Sequence, residues 1–224
     1  MTPIKEIGEC LIALGDEEYF FRPSLLNMTR IGNPEEIVEA FYEVHREPAL
    51  AIINMAVNAL GSVPTVIASY AVRPELRKRK LMAAMTIIQS CCDRDVTKLT
   101  GELVPARSGR RALLYRPGAL SFDDMILISQ SLITHGIIGK AKLRRLQKHE
   151  GSGTSSEFNA FEYISAARAH LGMSREEAEQ LTMTDFQMML SAKYPEQKGF
   201  TREEYDSVAD DYMARKARRL ANAA

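Results

Sequence analysis

The chain has 224 residues, with 29 Lys or Arg against 29 Asp or Glu, so its formal net charge is zero. Hydrophobic residues make up 46% and charged residues 26%, ordinary usage for a soluble domain, which excludes a disordered, collagen-like or heptad-only chain. Neutrality excludes a global electrostatic drive toward nucleic acid or anionic membrane, and three cysteines exclude a disulfide framework and point to a reducing compartment.

The charge is nonetheless segregated. Residues 1–72 hold 4 basic and 10 acidic side chains, residues 73–150 hold 16 and 7, and residues 151–224 hold 9 and 12. Neighbouring segments of opposite sign attract either within one fold or between copies.

The opening MTPIKEIGEC lacks the basic start and apolar stretch of a secretory signal. Ile4 to Phe21 reads as a β-hairpin turning at Gly15-Asp16, with Ile12, Leu14, Tyr19 and Phe21 as strand formers. Residues 22–33 read as a connecting loop. Asn33 then suits a helix N-cap, Pro34 the first helical position, and Glu35 and Glu36 the positive end of the dipole. Ile37, Phe41 and Val44 give that helix a buried face.

Pro48 to Val72 contains no charged residue in 25 positions. Gly61 and Pro64 break the run, so the expectation is two helices buried in a soluble core, not a membrane span. Glu75 to Cys92 reads as a further helix with Leu81, Met85 and Ile88 on one face. Residues 93–120 are mixed, with turn signals at Ser108-Gly109 and Pro117-Gly118. Ser121 with Asp124 caps a helix whose buried face holds Met125, Ile128, Leu132 and Ile133, and Gly136 is expected to stop it. Lys140 to His149 reads as a basic helix.

EGSGTSS, at residues 150–156, is the best linker in the chain, being small, polar and flexible. After it come four short helices with capping-box spacings at Ser174/Glu177, Thr184/Gln187 and Thr201/Glu204. The expected fold is mainly α (α+β). An N-terminal hairpin packs on a helical domain over residues 1–149, a linker spans 150–156, and a small all-α unit occupies 157–224.

Catalytic signatures are missing. Cys91-Cys92 lacks the C-x-x-C spacing and second ligand pair of a metal site and reads as core. His45, His135, His149 and His170 are scattered, and His135-Gly136 reads as a helix end where an imidazolium favours the dipole. Gly136-Ile-Ile-Gly139-Lys140 is two residues too short for a phosphate loop, and Asp93-Arg94-Asp95 fails the calcium-loop pattern. No enzyme activity, metal or cofactor is expected. The basic runs Arg73–Lys80, with Arg77, Lys78, Arg79 and Lys80 as a candidate patch, and Arg107–Arg111 read first as solvated faces. They carry no interleaved aromatics for base stacking, so nucleic acid is not the expected partner. Phe158, Phe161, Tyr163, Phe186, Met188, Met189, Tyr194 and Phe200 exceed what some seventy residues bury well, and Phe158, Phe161, Phe186, Met188, Met189 and Tyr194 are the candidate partner-binding set.

RPSLLNMTRIGNPEEIV and MILISQSLITHGIIGK resemble an uncharacterised family from the tail genes of tailed bacteriophages. FNAFEYISAARAHLGMSREEAEQLTMTDFQMMLSAKYP resembles phage tail assembly chaperones. The matching rhythm is Leu171-Gly172-Met173, Ser174 to Glu177 and Leu181 to Phe186. The resemblance implies a non-enzymatic, mostly helical homo-oligomer in the host cytoplasm, absent from the mature virion and not bound to membrane. It would bind the tape-measure protein and help recruit tail-tube protein. A structural tail component retained in the virion and a small nucleic-acid-binding protein are the alternatives.

Overall fold

In the computed structural model the described residues are 2–71, 74–105, 113–141, 156–194 and 212. They form a mainly α (α+β) fold.

The hairpin is present as β1 (Cys10–Leu14) and β2 (Glu17–Phe21), antiparallel, with Leu14 opposite Glu17 across a two-residue turn. Gly15 sits at φ 60, the value the first central position of a type II′ turn demands. The hairpin packs on helices of its own chain. Tyr19 and Phe21 face inward, and Phe21 bridges to Cys92 while the Arg22 N–H bonds the Cys91 carbonyl at 2.9 Å.

Residues 22–33 are not wholly loop. Ser24 accepts from the Asn27 N–H and starts a short helix, α1 (Leu25–Thr29). Helix α2 (Pro34–His45) has the expected start: Asn33 and Glu36 form a reciprocal capping box. Helix α5 (Pro74–Ser90) lies against α2, with α3 (Pro48–Leu60) and α4 (Thr65–Ala71) between them in sequence. The central layer is completed by α7 (Phe122–Ile133), which packs on both α5 and α2.

The break at Gly61, φ 68, falls where expected, but α3 and α4 are not buried. They pack mainly on each other, and among their residues whose burial is described Ala56 alone is buried, outside the main core cluster. A helix apolar all round needs neighbours on every side, and a single short partner covers one stripe. No helix among the described residues is long and apolar enough to cross a membrane.

Residues 93–120 hold a short helix, α6 (Thr97–Thr100), and a second hairpin, β3 (Glu102–Pro105) with β4 (Leu113–Arg116). Its base is tight: Gly101 has φ 82, and a Cβ there would lie 2.2 Å from the Arg116 carbonyl oxygen. The connection at 106–112, including the Arg107–Arg111 run, lies outside the described residues.

Gly136 does not stop the helix begun at Ser121. The chain continues through a π-turn at Thr134–Ile138, and Gly139, φ 79, closes it by bonding the Thr134 carbonyl. Gly136 is instead a packing residue, since a Cβ there would meet Met28 Sδ at 2.4 Å. The expected basic helix at 140–149 and the linker at 150–156 lie outside the described residues, apart from Lys140, Ala141 and Ser156.

Beyond the linker, α8 (Ala160–Leu171), α9 (Arg175–Gln180) and α10 (Met183–Lys193) share the main core. Phe158, Ile164, Ala167, Ala178, Met183 and Phe186 join the same buried cluster as Phe21, Met28 and Ile133. Backbone bonds tie the parts: Leu25 N–H to the Leu181 carbonyl at 2.8 Å, Phe158 N–H to Pro34 at 3.0 Å, and a bridge between Ser24 and Thr182. Ser174/Glu177 forms its capping box, whereas Thr182, not Thr184, caps α10. The Thr201/Glu204 pair lies outside the described residues.

Candidate functional site

The six residues expected to bind a partner fall into two groups. Phe158 and Phe186 are core residues, 6% and 7% exposed. They hold Tyr163 between them, Phe158 stacked at 5.3 Å and Phe186 edge-on at 5.9 Å. Aromatic pairs at these distances add specific packing to their burial. Phe161, Met188, Met189 and Tyr194 point outward, from 39% to 61% exposed, on the mutually packed helices α8 and α10. Tyr194 is edge-on to His170, and Lys193 donates to the His170 carbonyl, which pins the end of α10 to the end of α8. Exposed, polarizable Met and amphipathic Tyr side chains are adaptable apolar contacts.

Behind this surface lies the junction that holds α10 in place. His135, on the π-turn, is buried against Gly8 and meets Thr184 Oγ1 at 2.8 Å. The Thr184 hydroxyl accepts the Lys140 N–H at 3.1 Å and shares its other hydrogen bond with His135 Nδ1. Burial, helped by Lys140, holds this imidazole below its usual range, so it is neutral and is not the dipole-capping imidazolium expected from sequence. Nearby, Arg22 clasps the buried Glu9 carboxylate at 2.5 and 2.6 Å, while the other Glu9 oxygen accepts the Ile4 N–H. Burial raises the Asp185 carboxyl, the Thr182 backbone bond opposes that shift, and the Glu9 charge adds to it.

The basic patch is divided as well. Lys80 is 8% exposed and donates to Glu47 at 2.5 Å and to the Arg46 carbonyl at 3.1 Å, which clamps the end of α2 to α5. The Arg77 guanidinium lies 4.3 Å from the centre of the Phe122 ring. Lys78 and Arg79 are exposed. Two of the four cations therefore have partners within the chain.

Cys10 joins Cys91 and Cys92 near the second strand, a proximity the sequence separation conceals. Burial pushes the Cys10 thiol up to about 11 and the Cys91 thiol further still, so all three remain protonated thiols. Among the described residues no group of three or more His, Cys, Asp or Glu is placed to hold a metal ion. A shallow pocket lined by Glu17, Tyr19, Arg94, Asp95 and Lys98 is occupied by its own bonds, including Lys98 to Glu17 at 2.5 Å and Tyr19 to Glu17 at 2.7 Å.

Fold and surface together define a mainly helical α+β protein whose C-terminal helices present apolar side chains outward. The chain belongs to the family of unknown function DUF6246, which it matches over residues 21–207. Comparison with curated proteins and with solved structures returns no match.

Proposed function

We propose that this protein is a non-enzymatic tail assembly chaperone of tailed bacteriophages. It binds the hydrophobic helices of the tape-measure protein in the host cytoplasm, helps recruit tail-tube subunits and leaves before the virion matures. The chaperone-like rhythm of residues 171–186 supports this reading. The observation that carries it is the outward set Phe161, Met188, Met189 and Tyr194 on helices that are otherwise well anchored. Exposed Met and aromatic side chains on a rigid base suit a client that offers many similar apolar helices. Nucleic-acid binding is disfavoured, because Lys80 and Arg77 are engaged within the chain.

The test is capture of the co-expressed tape-measure protein by the tagged full-length chain. Phe161→Ser with Met188→Ser should cut recovery at least tenfold while leaving the circular dichroism spectrum unchanged. Undiminished capture by that variant moves the client surface elsewhere.

A further inference from the structure

The first hairpin has two unlike edges. The outer edge of β2 is closed by its own chain, through the Phe21–Cys92 bridge and the bond from the Arg22 N–H to the Cys91 carbonyl. The other edge of this two-stranded sheet is β1. Leu14 and Glu17 close the two-residue turn, which makes them a hydrogen-bonded pair, and bonded pairs alternate with open ones along the ladder. Leu11 and Ala13, opposite Phe20 and Glu18, fall in the open pairs, so their N–H and C=O groups point away from β2. Two bonds agree with this phase. Glu9, in step with Leu11 and Ala13, sends its N–H outward to the Ile4 carbonyl at 3.1 Å, and Glu18 turns its carbonyl outward to Arg94 at 2.6 Å. Leu11 and Ala13 are exposed, and among the described residues nothing bonds their outward amide groups.

Such edges are normally blunted by a Lys, a Pro or a bulge, and Cys10–Leu14 has none of these. Open amide groups at strand spacing are matched by another extended backbone, not by a helix or a lipid surface. A second copy of β1 fits poorly, because Ile4 already holds the place beside Glu9. Antiparallel self-pairing of Leu11 with Ala13 puts Gly15 of the second copy in that place, and pairing Leu11 with Leu11 puts Ala13 there. Pairing Ala13 with Ala13 leaves one bonded pair before the turn. A segment of a different protein is free to end short of Glu9. Charge adds to its description. Asp16 in the turn and Glu18 across from Ala13 are exposed without an ion-pair partner among the described residues, and Lys98 is taken by Glu17. At the far end the exposed Lys5 and Glu6 offset each other. The edge therefore favours a basic residue beside the turn. On the inner face an added strand continues Ile12 and Leu14, which are half-buried against the core and call for apolar side chains.

We infer that the outer edge of β1 takes an extended segment of a different protein as a third strand. The segment spans Leu11 to Leu14, is apolar on the side that continues Ile12 and Leu14, and carries Lys or Arg beside the Gly15-Asp16 turn. This edge is distinct from the outward side chains of α8 and α10, and its test uses no tape-measure protein, so the failure of either reading leaves the other standing.

The probe is the end-blocked peptide KVTVTVK, read by amide NMR of the full chain. With the peptide at about 1 mM, hydrogen exchange at the Leu11 and Ala13 amides should slow about tenfold, while the Ile12 amide, already bonded to β2, changes little. The same peptide N-methylated throughout keeps its side chains, loses every N–H donor, and should bind about tenfold more weakly or worse. Ala13→Pro removes one outward N–H, spares the bonds to β2, and should abolish the effect at Leu11 with an unchanged circular dichroism spectrum. Asp16→Lys with Glu18→Lys should weaken KVTVTVK about tenfold and reverse the preference toward EVTVTVE. Unchanged exchange at Leu11 and Ala13 overturns the inference, as does equal binding of the N-methylated peptide. So does slow exchange of these amides in the free chain: a second copy holds the edge if the protection rises with concentration, and the chain's own residues hold it if the protection does not.

Discussion

Phe186 and Met188 lie two positions apart on α10, and replacing each by Ala should have very different consequences. Phe186 is 7% exposed, packs edge-on against Tyr163 and belongs to the core cluster that also holds Phe21 and Met28. Truncating a buried Phe costs about 3–5 kcal/mol, because transfer and cavity terms add. The ring also supports Tyr163 and, through it, Phe158, so the loss should fall near 4 kcal/mol. For a chain of this size about 1 kcal/mol shifts Tm by about 2–4 °C, which puts the drop near 8–16 °C. Met188 is 48% exposed, and its truncation should cost less than about 0.5 kcal/mol. Urea and thermal melts followed at 222 nm measure both. The same pair should behave oppositely in client capture, since only Met188 is on the surface. If Phe186→Ala melts within 1 °C of wild type, α10 is not anchored by this core, and the division of the six aromatic and Met positions fails.

Other substitutions probe the junctions. Gly101→Ala forces a side chain into a left-handed φ and onto the Arg116 carbonyl, and should cost about 3 kcal/mol or more in a urea melt. Arg22→Ala leaves the Glu9 carboxylate buried and unpaired, costing about 3 kcal/mol, and Glu9→Gln in the same chain should recover part of it. His135 is held neutral, so on acidification the unfolded chain takes up its proton first, near pH 6.5. The stability linked to this group is therefore intact above about pH 6.5 and falls as the pH drops from there through the lower folded value. His135→Asn, whose amide oxygen can still accept from Thr184, should flatten the stability profile between pH 7 and 5. Asp185 acts in the opposite direction in the acid range and cancels in the comparison. Native protein should resist iodoacetamide at pH 8, because a thiol near 11 is about one part in a thousand thiolate there. Alkylation of all three cysteines within minutes would contradict the burial of Cys91 and Cys92.

Strong local signals were legible in the sequence. The Gly15 turn, the Asn33 cap and the Ser174/Glu177 box each fix a conformation within four residues, and each is present. Helix α1 was hidden because Pro23 and the short LLNMT run read as loop, although Ser24 caps it. The second hairpin escaped because its strands are four residues long, one ending in Pro105, with a basic run between them. The largest differences are non-local. No pattern in PALAIINMAVNAL says whether a neighbour covers it, so the sequence predicts burial where α3 and α4 stand exposed. Nor does spacing show that the helices after residue 156 share a core with Met28 and Ile133, which is what divides Phe158 and Phe186 from Phe161, Met188, Met189 and Tyr194. Lys80 left the basic patch for a similar reason, since Glu47 meets it only once α2 and α5 pack.

One experiment addresses the proposed client most directly. The chain is co-expressed with the tape-measure and tail-tube proteins of its own genome, then purified by a tag and weighed as an intact complex. The prediction is a stoichiometric soluble complex containing tape-measure protein that precipitates when expressed alone. A chain that purifies alone, while peptides from it are abundant in finished virions, would contradict the chaperone reading and identify a structural tail component.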